Sequence, residues 1–287
     1  MRNRAQSCTL LTIGAVLSAC GGSPGATGST DNLDKPPNLP PVESLVIDLS
    51  FFTAGGGTGA FPTVGAAASG TIPAGDARDV ATGTQDHWEN AATRVEVTSA
   101  DVIQALSLPV ATLAAASQQT AVFEGARWHW RFVVAHGGHT YTGDLSGVTA
   151  GSQTSFEMRL SQPSLGLSGF TSYLGAAPAN GGSGFWRFFD PRTAGGSAGR
   201  VDWSRPSDDA KTVAFSVVGD AANNGDILTY EVSGTDRRMR YVEFSTGDAV
   251  EVFWDAVTGA GHITADSYNG GAKSCWDGDQ NDVACTP

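Results

Sequence analysis

The chain has 287 residues, a formal net charge of -12 and 16% charged residues, against about 25% in typical domains. That acidity argues against nucleic acid and anionic lipid as partners of the body, since both need clustered Lys and Arg. The 37 glycines exceed the usual share of roughly 7% and predict short strands joined by many tight turns.

The first residues read as a secretory signal. Arg2 and Arg4 supply a charged start, a short apolar stretch from Leu10 to Leu17 follows, and small residues lead to Cys20. The stretch is too short to span a bilayer, which takes roughly 20 apolar residues. An ordinary signal-peptidase site wants small residues one and three places before the cut; Ala19 fits and Leu17 does not. The segment Leu17-Ser18-Ala19-Cys20 instead resembles the lipobox of bacterial lipoproteins. That resemblance, confined to the signal region, implies a thiol carrying diacylglycerol, removal of residues 1–19 and acylation of the new amino terminus. Several acyl chains on one residue give stable membrane anchoring, at about 0.8 kcal/mol per buried methylene. Gly21, rather than Asp, follows the cysteine, and the resemblance then implies the outer membrane in a cell that has one. Loss of Arg2 and Arg4 with the signal moves the formal charge from -12 to -14.

Of the four cysteines, Cys8 leaves with the signal and Cys20 carries lipid, so Cys275 and Cys285 remain. In an exported compartment these two are expected to pair, closing a small loop that keeps the C-terminal tail from fraying.

Residues 20–42 contain Gly, Ser, Thr, Asn and Pro with few large apolar side chains, and read as a disordered tether reaching roughly 25 Å. A single β-rich domain is expected over 43–287. Leu45–Phe51 reads as a first strand and 54–83 as a long loop. Trp88, Ala92, Val95, Ser99, Val102 and Leu106 then recur every three or four residues, which predicts an amphipathic helix. Thr84 or Asp86 can cap its start, Pro109 marks its end, and the Ala-rich piece 110–117 can add a second, so one or two helices are expected near residues 84–117.

From Val122 to about Asp266 the pattern changes to alternation with a period of two. Trp128, Trp130, Phe132 and Val134 share one strand face, while Arg127, His129 and Arg131 share the other. Gly137-Gly138 offers a two-residue hairpin turn, which sets His136 opposite His139, Val134 opposite Tyr141, Phe132 opposite Gly143, Trp130 opposite Leu145 and Arg131 opposite Asp144. Further strands are expected at 153–160, 184–190, 200–204, 212–218, 227–232, 239–245, 249–255 and 262–265. The fold class predicted is mainly β, an antiparallel meander closed as a barrel or stacked as a two-sheet sandwich, with the helix against it.

Several residues merit a test for chemistry. Gly195-Gly196-Ser197-Ala198-Gly199 matches the G-x-S-x-G pattern of hydrolases, but that mechanism needs a strand before the serine and a helix after it. His136 and His139, side by side at the hairpin turn, can share a metal if a third ligand joins them, and His129 faces the other way. Asp277, Asp279, Asn281 and Asp282 concentrate oxygen ligands inside the predicted disulfide loop. Their spacing opens like an EF-hand loop, yet Asp282 stands where glycine is required and no closing Glu follows, leaving at most a weak calcium site and otherwise no cofactor. Trp186, Phe188, Phe189, Trp203, Trp254 and Trp276 can fill a core or line a ligand cavity.

The expectation is a lipid-anchored envelope protein whose non-catalytic β domain binds a small ligand, a glycan or an envelope protein. The alternatives are an envelope hydrolase, using Ser197 or a metal on His136 and His139, and a purely structural envelope protein.

Overall fold

The apolar stripe and the alternating segments organise a computed structural model that describes residues 35–54, 87–179, 181–193, 196–219 and 223–286. The signal, Cys20, the candidate caps Thr84 and Asp86, and Gly195 lie outside these residues. Lys35–Pro287 forms one compact unit. Its first residues already touch the core: Pro40 is buried, and Leu39 and Val42 pack against it.

Leu45–Phe51 is not a strand. A 3-10 turn covers Val42–Leu45 and a short helix, α1, covers Ser50–Ala54, with Asp48 accepting the Ser50 N–H. The segment buries Leu45, Leu49 and Phe52 against the body without forming a ladder. Burial, rather than pairing, accounts for its apolar sequence.

One long helix, α2, runs over His87–Ser117 and continues through Pro109. A proline inside a helix costs about 3 kcal/mol through its missing N–H and ring clash. Beyond it Leu113 and Ala116 are fully buried, and burying one leucine side chain contributes roughly 1.5–3 kcal/mol. Thr112 adds a bond from its hydroxyl to the Tyr173 hydroxyl, 3.1 Å away. Tertiary packing therefore carries the helix past the expected stop. By length and composition α2 is also long and apolar enough to cross a membrane, but its stripe of Trp88, Val95, Ser99, Val102 and Leu106 is buried within this fold.

Among the described residues, fourteen strands follow in one antiparallel meander whose spatial order is its sequence order. They are β1 (Val122–Glu124), β2 (Arg127–His136), β3 (His139–Ala150), β4 (Gln153–Gln162), β5 (Leu167–Pro178), β6 (Ser183–Asp190), β7 (Gly196–Ser207) and β8 (Ala210–Val217), then β9 (Ile227–Ser233), β10 (Asp236–Val242), β11 (Ala249–Asp255), β12 (Gly261–Ala265), β13 (Ser274–Trp276) and β14 (Asp282–Val283). The edges β1 and β14 do not pair, so the sheet is not closed as a barrel and the arrangement is sandwich-like. Helix α2 packs against strands near both ends, β2 and β3 on one side and β11 to β13 on the other.

The expected β2–β3 register is present throughout, with His136 opposite His139, Trp130 opposite Leu145 and Arg131 opposite Asp144. Gly137 and Gly138 both take positive φ at the turn, which only glycine adopts freely.

Inner-face residues form rows that cross many strands. One row runs Trp130, Leu145, Met158, Tyr173, Phe188, Gly199 and Val217. In the next, Gly147, Phe156, Gly175 and Trp186 alternate small and large. A Cβ on Gly175 would lie 2.2 Å from the Trp186 ring, and one on Gly143 would lie 2.2 Å from Phe132. Part of the glycine excess therefore seats aromatic rings on the inner face.

Candidate functional site

The residues singled out for chemistry are brought into structural contacts. His136 and His139 are register partners, but His136 is buried, with its Nε2 3.2 Å from the Ser107 hydroxyl of α2. Burial pushes its pKa down and favours the neutral imidazole. His139 Nδ1 instead accepts from the Gln162 amide at 3.5 Å. His129 meets Asp144 at 2.9 Å on the outer face. Among the described residues, no group of three or more His, Cys, Asp or Glu is placed to hold a metal ion.

Ser197 lies in strand β7, paired with Phe189 of β6, rather than at a strand-to-helix elbow. Its hydroxyl is buried with no partner among the described residues.

The C-terminal loop is closed by a disulfide between Cys275 and Cys285, whose Cα atoms are 5.3 Å apart. Its oxygen ligands are turned to separate tasks. Asp277 accepts the backbone N–H groups of Asp279 and Asn281, each at 2.9 Å, and these bonds hold its carboxyl below the usual range. Asp282 reaches away from that turn to the start of α2, where it accepts the His87 N–H at 2.7 Å. His87 also meets the Tyr268 hydroxyl at 2.7 Å. A carboxylate 195 positions later in sequence thus satisfies an N–H that no helical carbonyl can reach. The disulfide loop acts as a clamp on the helix start.

The aromatic residues divide between the two roles. Trp186, Trp203, Trp254 and Trp276 are buried in the core, and Trp186 donates to the Ser44 hydroxyl at 3.2 Å. Phe188 and Phe189, by contrast, line a cavity of about 330 Å³ between α2 and strands β4 to β8. Consecutive strand residues normally face opposite ways, but the β6–β7 register shifts between Phe188 and Phe189, and both border the same space. The β4–β5 pairing shifts twice as well, between Met158 and Arg159 and between Leu160 and Gln162. Residues beside these shifts, Leu160 of β4 and Phe188 and Phe189 of β6, border the cavity. Gly199, next to Phe188 in its row, places no side chain in it.

The wall is mostly apolar, with Phe170 from β5, Phe215 and Val217 from β8 and Leu108 from α2 beside the two β6 phenylalanines. A volume of about 330 Å³ falls at the lower end of the ~300–1,000 Å³ found for small-molecule sites. Two charged groups from the β6 end of the wall neutralise each other. Arg192 grips Asp190 through Nε at 3.0 Å and Nη2 at 2.8 Å, which holds the Asp190 carboxyl low and the guanidinium high.

Asp101 lines the same cavity from the helix. Burial pushes its carboxyl pKa up, and among the described residues no hydrogen bond or opposite charge offsets that burial. Four residues on, Ala105 also lines the cavity, and Pro109 has no N–H to give its carbonyl. Nothing in the sequence marked Asp101: a single aspartate in a helix otherwise reads as a solvated side chain.

The fold and cavity define a mainly β protein with an apolar site between a core helix and a bulged sheet. Comparison with family models, with curated proteins and with solved structures returns no match.

Proposed function

We propose that the chain is a lipid-anchored envelope protein, held at a membrane through Cys20, whose β domain binds a small apolar molecule between α2 and strands β4 to β8. The observation that carries the binding reading is the 330 Å³ cavity, because a domain with a purely structural task gains stability by filling such space. The anchor rests on the charged start, the short apolar run and Leu17-Ser18-Ala19-Cys20. A glycan is a poorer match than an apolar ligand, since phenylalanines and aliphatic side chains dominate the wall. For a serine hydrolase, an imidazole must reach Ser197; the buried His136 is instead engaged with Ser107.

Two measurements test the two halves of this reading. Mass spectrometry of protein from membranes of the native host is expected to find an acylated Cys20 as the first residue; an unmodified Cys20 or a chain beginning at Met1 would remove the anchor. Fluorescence titration with the neutral apolar probe N-phenyl-1-naphthylamine is expected to saturate at one site per chain. Emission that rises without saturation would remove the binding site.

A further inference from the structure

Gln104, Ser172 and Asn223 give the cavity neutral groups that can donate or accept, so its unevenness lies in charge, and that unevenness says what its ligand must offer. On the strand side, the guanidinium of Arg192 is already committed to Asp190 by paired bonds. On the helix side stand two acceptors one turn apart. Among the described residues the Asp101 carboxylate has no hydrogen bond or positive charge to offset its burial, and it helps push the half-buried Tyr241 hydroxyl upward in pKa. The Ala105 carbonyl is denied its helical donor by Pro109. An anionic ligand would set like charge against Asp101, and a purely apolar one would displace its water without replacing the bonds, which is costly. A cation with N–H donors satisfies both acceptors.

We propose that the cavity selects a small amphipathic amine, with its apolar part among Phe170, Phe188, Phe189 and Phe215 and its ammonium group at Asp101 and the Ala105 carbonyl. An ammonium carries three donors and no acceptor, the complement of the Asp101 carboxylate and the Ala105 carbonyl. Aromatic side chains also tolerate a nearby cation better than aliphatic ones do, because the ring face is electron-rich. The acidic balance of the whole chain, -12, draws cations toward the protein and disfavours anions. The volume, at about 30 Å³ per water-sized group, suits a ligand of roughly ten heavy atoms, such as an alkylamine or arylalkylamine.

This inference rests on the ligand-binding reading, and its test separates the two. Decylamine, decanol and decanoate share one chain and differ in head group, and each is titrated against protein loaded with N-phenyl-1-naphthylamine at neutral pH. The expected result is displacement by decylamine at a concentration at least tenfold below decanol, with decanoate weakest. Asp101→Asn should remove that tenfold preference of decylamine over decanol while leaving the circular dichroism spectrum unchanged. Equal displacement by all three compounds, or a preference for decanoate, overturns the amine assignment and leaves the apolar site standing. An amine preference that survives in Asp101→Asn overturns the role of that carboxylate. A probe that never binds the wild-type protein overturns the site itself, and the assignment with it.

Discussion

Helix α2 meets the rest of the molecule in two different ways along its length. At its start the helix is held by packing, hydrogen bonds and a cap, although the buried Trp88 indole N–H has no partner among the described residues. Trp88 lies in an aromatic cluster with Phe52 and Trp254, Arg94 bonds Asn90 at 2.7 Å and Ser267 at 3.0 Å, and Asp282 caps the His87 N–H. From its middle onward, over Asp101 to Pro109, the same helix borders open space and presents the Asp101 carboxylate, whose burial no hydrogen bond or ion pair offsets among the described residues. The difference teaches that one element can be staple and wall at once. Rigid packing and a disulfide clamp hold the first half, so the second half can keep a cavity without collapsing into it.

The sharpest way to break this comparison is to damage the closed end and ask whether the cavity notices. Trp254→Ala removes a side chain only 2% exposed that packs on Phe51, Phe52 and Tyr230. It should cost about 3–5 kcal/mol in denaturant unfolding. Below the unfolding transition, probe affinity should stay within about twofold of wild type, an expectation drawn from the usual additivity of distant sites. The clamp is next in size. Cys275→Ser is expected to lower stability by about 3 kcal/mol in the chain-entropy account of a loop this short, again read from denaturant midpoints. Asp282→Ala isolates the helix cap from the disulfide and should cost about 1 kcal/mol; a loss equal to that of Cys275→Ser would mean that the disulfide acts only through the cap.

A smaller effect comes from His262, stacked on Phe253 at 5.1 Å beside the clamp. Burial, with help from Lys273, pushes its pKa down to about 4 from 6.5. Between those values the unfolded chain binds the extra proton, so the stability this residue contributes is complete above about 6.5 and is lost as pH falls toward about 4. Unfolding midpoints measured at pH 7 and 4.5 should therefore converge in part in His262→Gln relative to wild type. Identical pH slopes in both proteins would contradict the buried neutral state.

Legibility in sequence follows the same division between local and long-range causes. The β2–β3 hairpin was readable because its alternation, its charge pair Arg131–Asp144 and its Gly137-Gly138 turn are all local and agree. Strand β5 was not, because Leu167, Phe170, Tyr173 and Leu174 do not recur with a period of two, and the segment is a strand through its pairing with β4 and β6. The helix was readable up to Leu106. Its passage through Pro109 depends on where Leu113 and Ala116 are buried, which no periodicity reports. The carboxylates of the tail looked like a ligand set by spacing alone, whereas Asp282 is directed to a helix far away in sequence. The cavity lay deepest of all, since its wall joins residues from α2 and five strands and lies beside register shifts in β4–β5 and β6–β7 that leave no pattern.

Filling the cavity from the helix side tests the central claim most directly. Ala105 is exposed and borders the space, so Ala105→Trp can occupy it without displacing the core. In calorimetric titrations with decylamine, the wild-type protein should bind one equivalent, and the variant should bind at least tenfold more weakly with an unchanged unfolding midpoint. Equal affinity in the two proteins would place the ligand elsewhere and contradict the account.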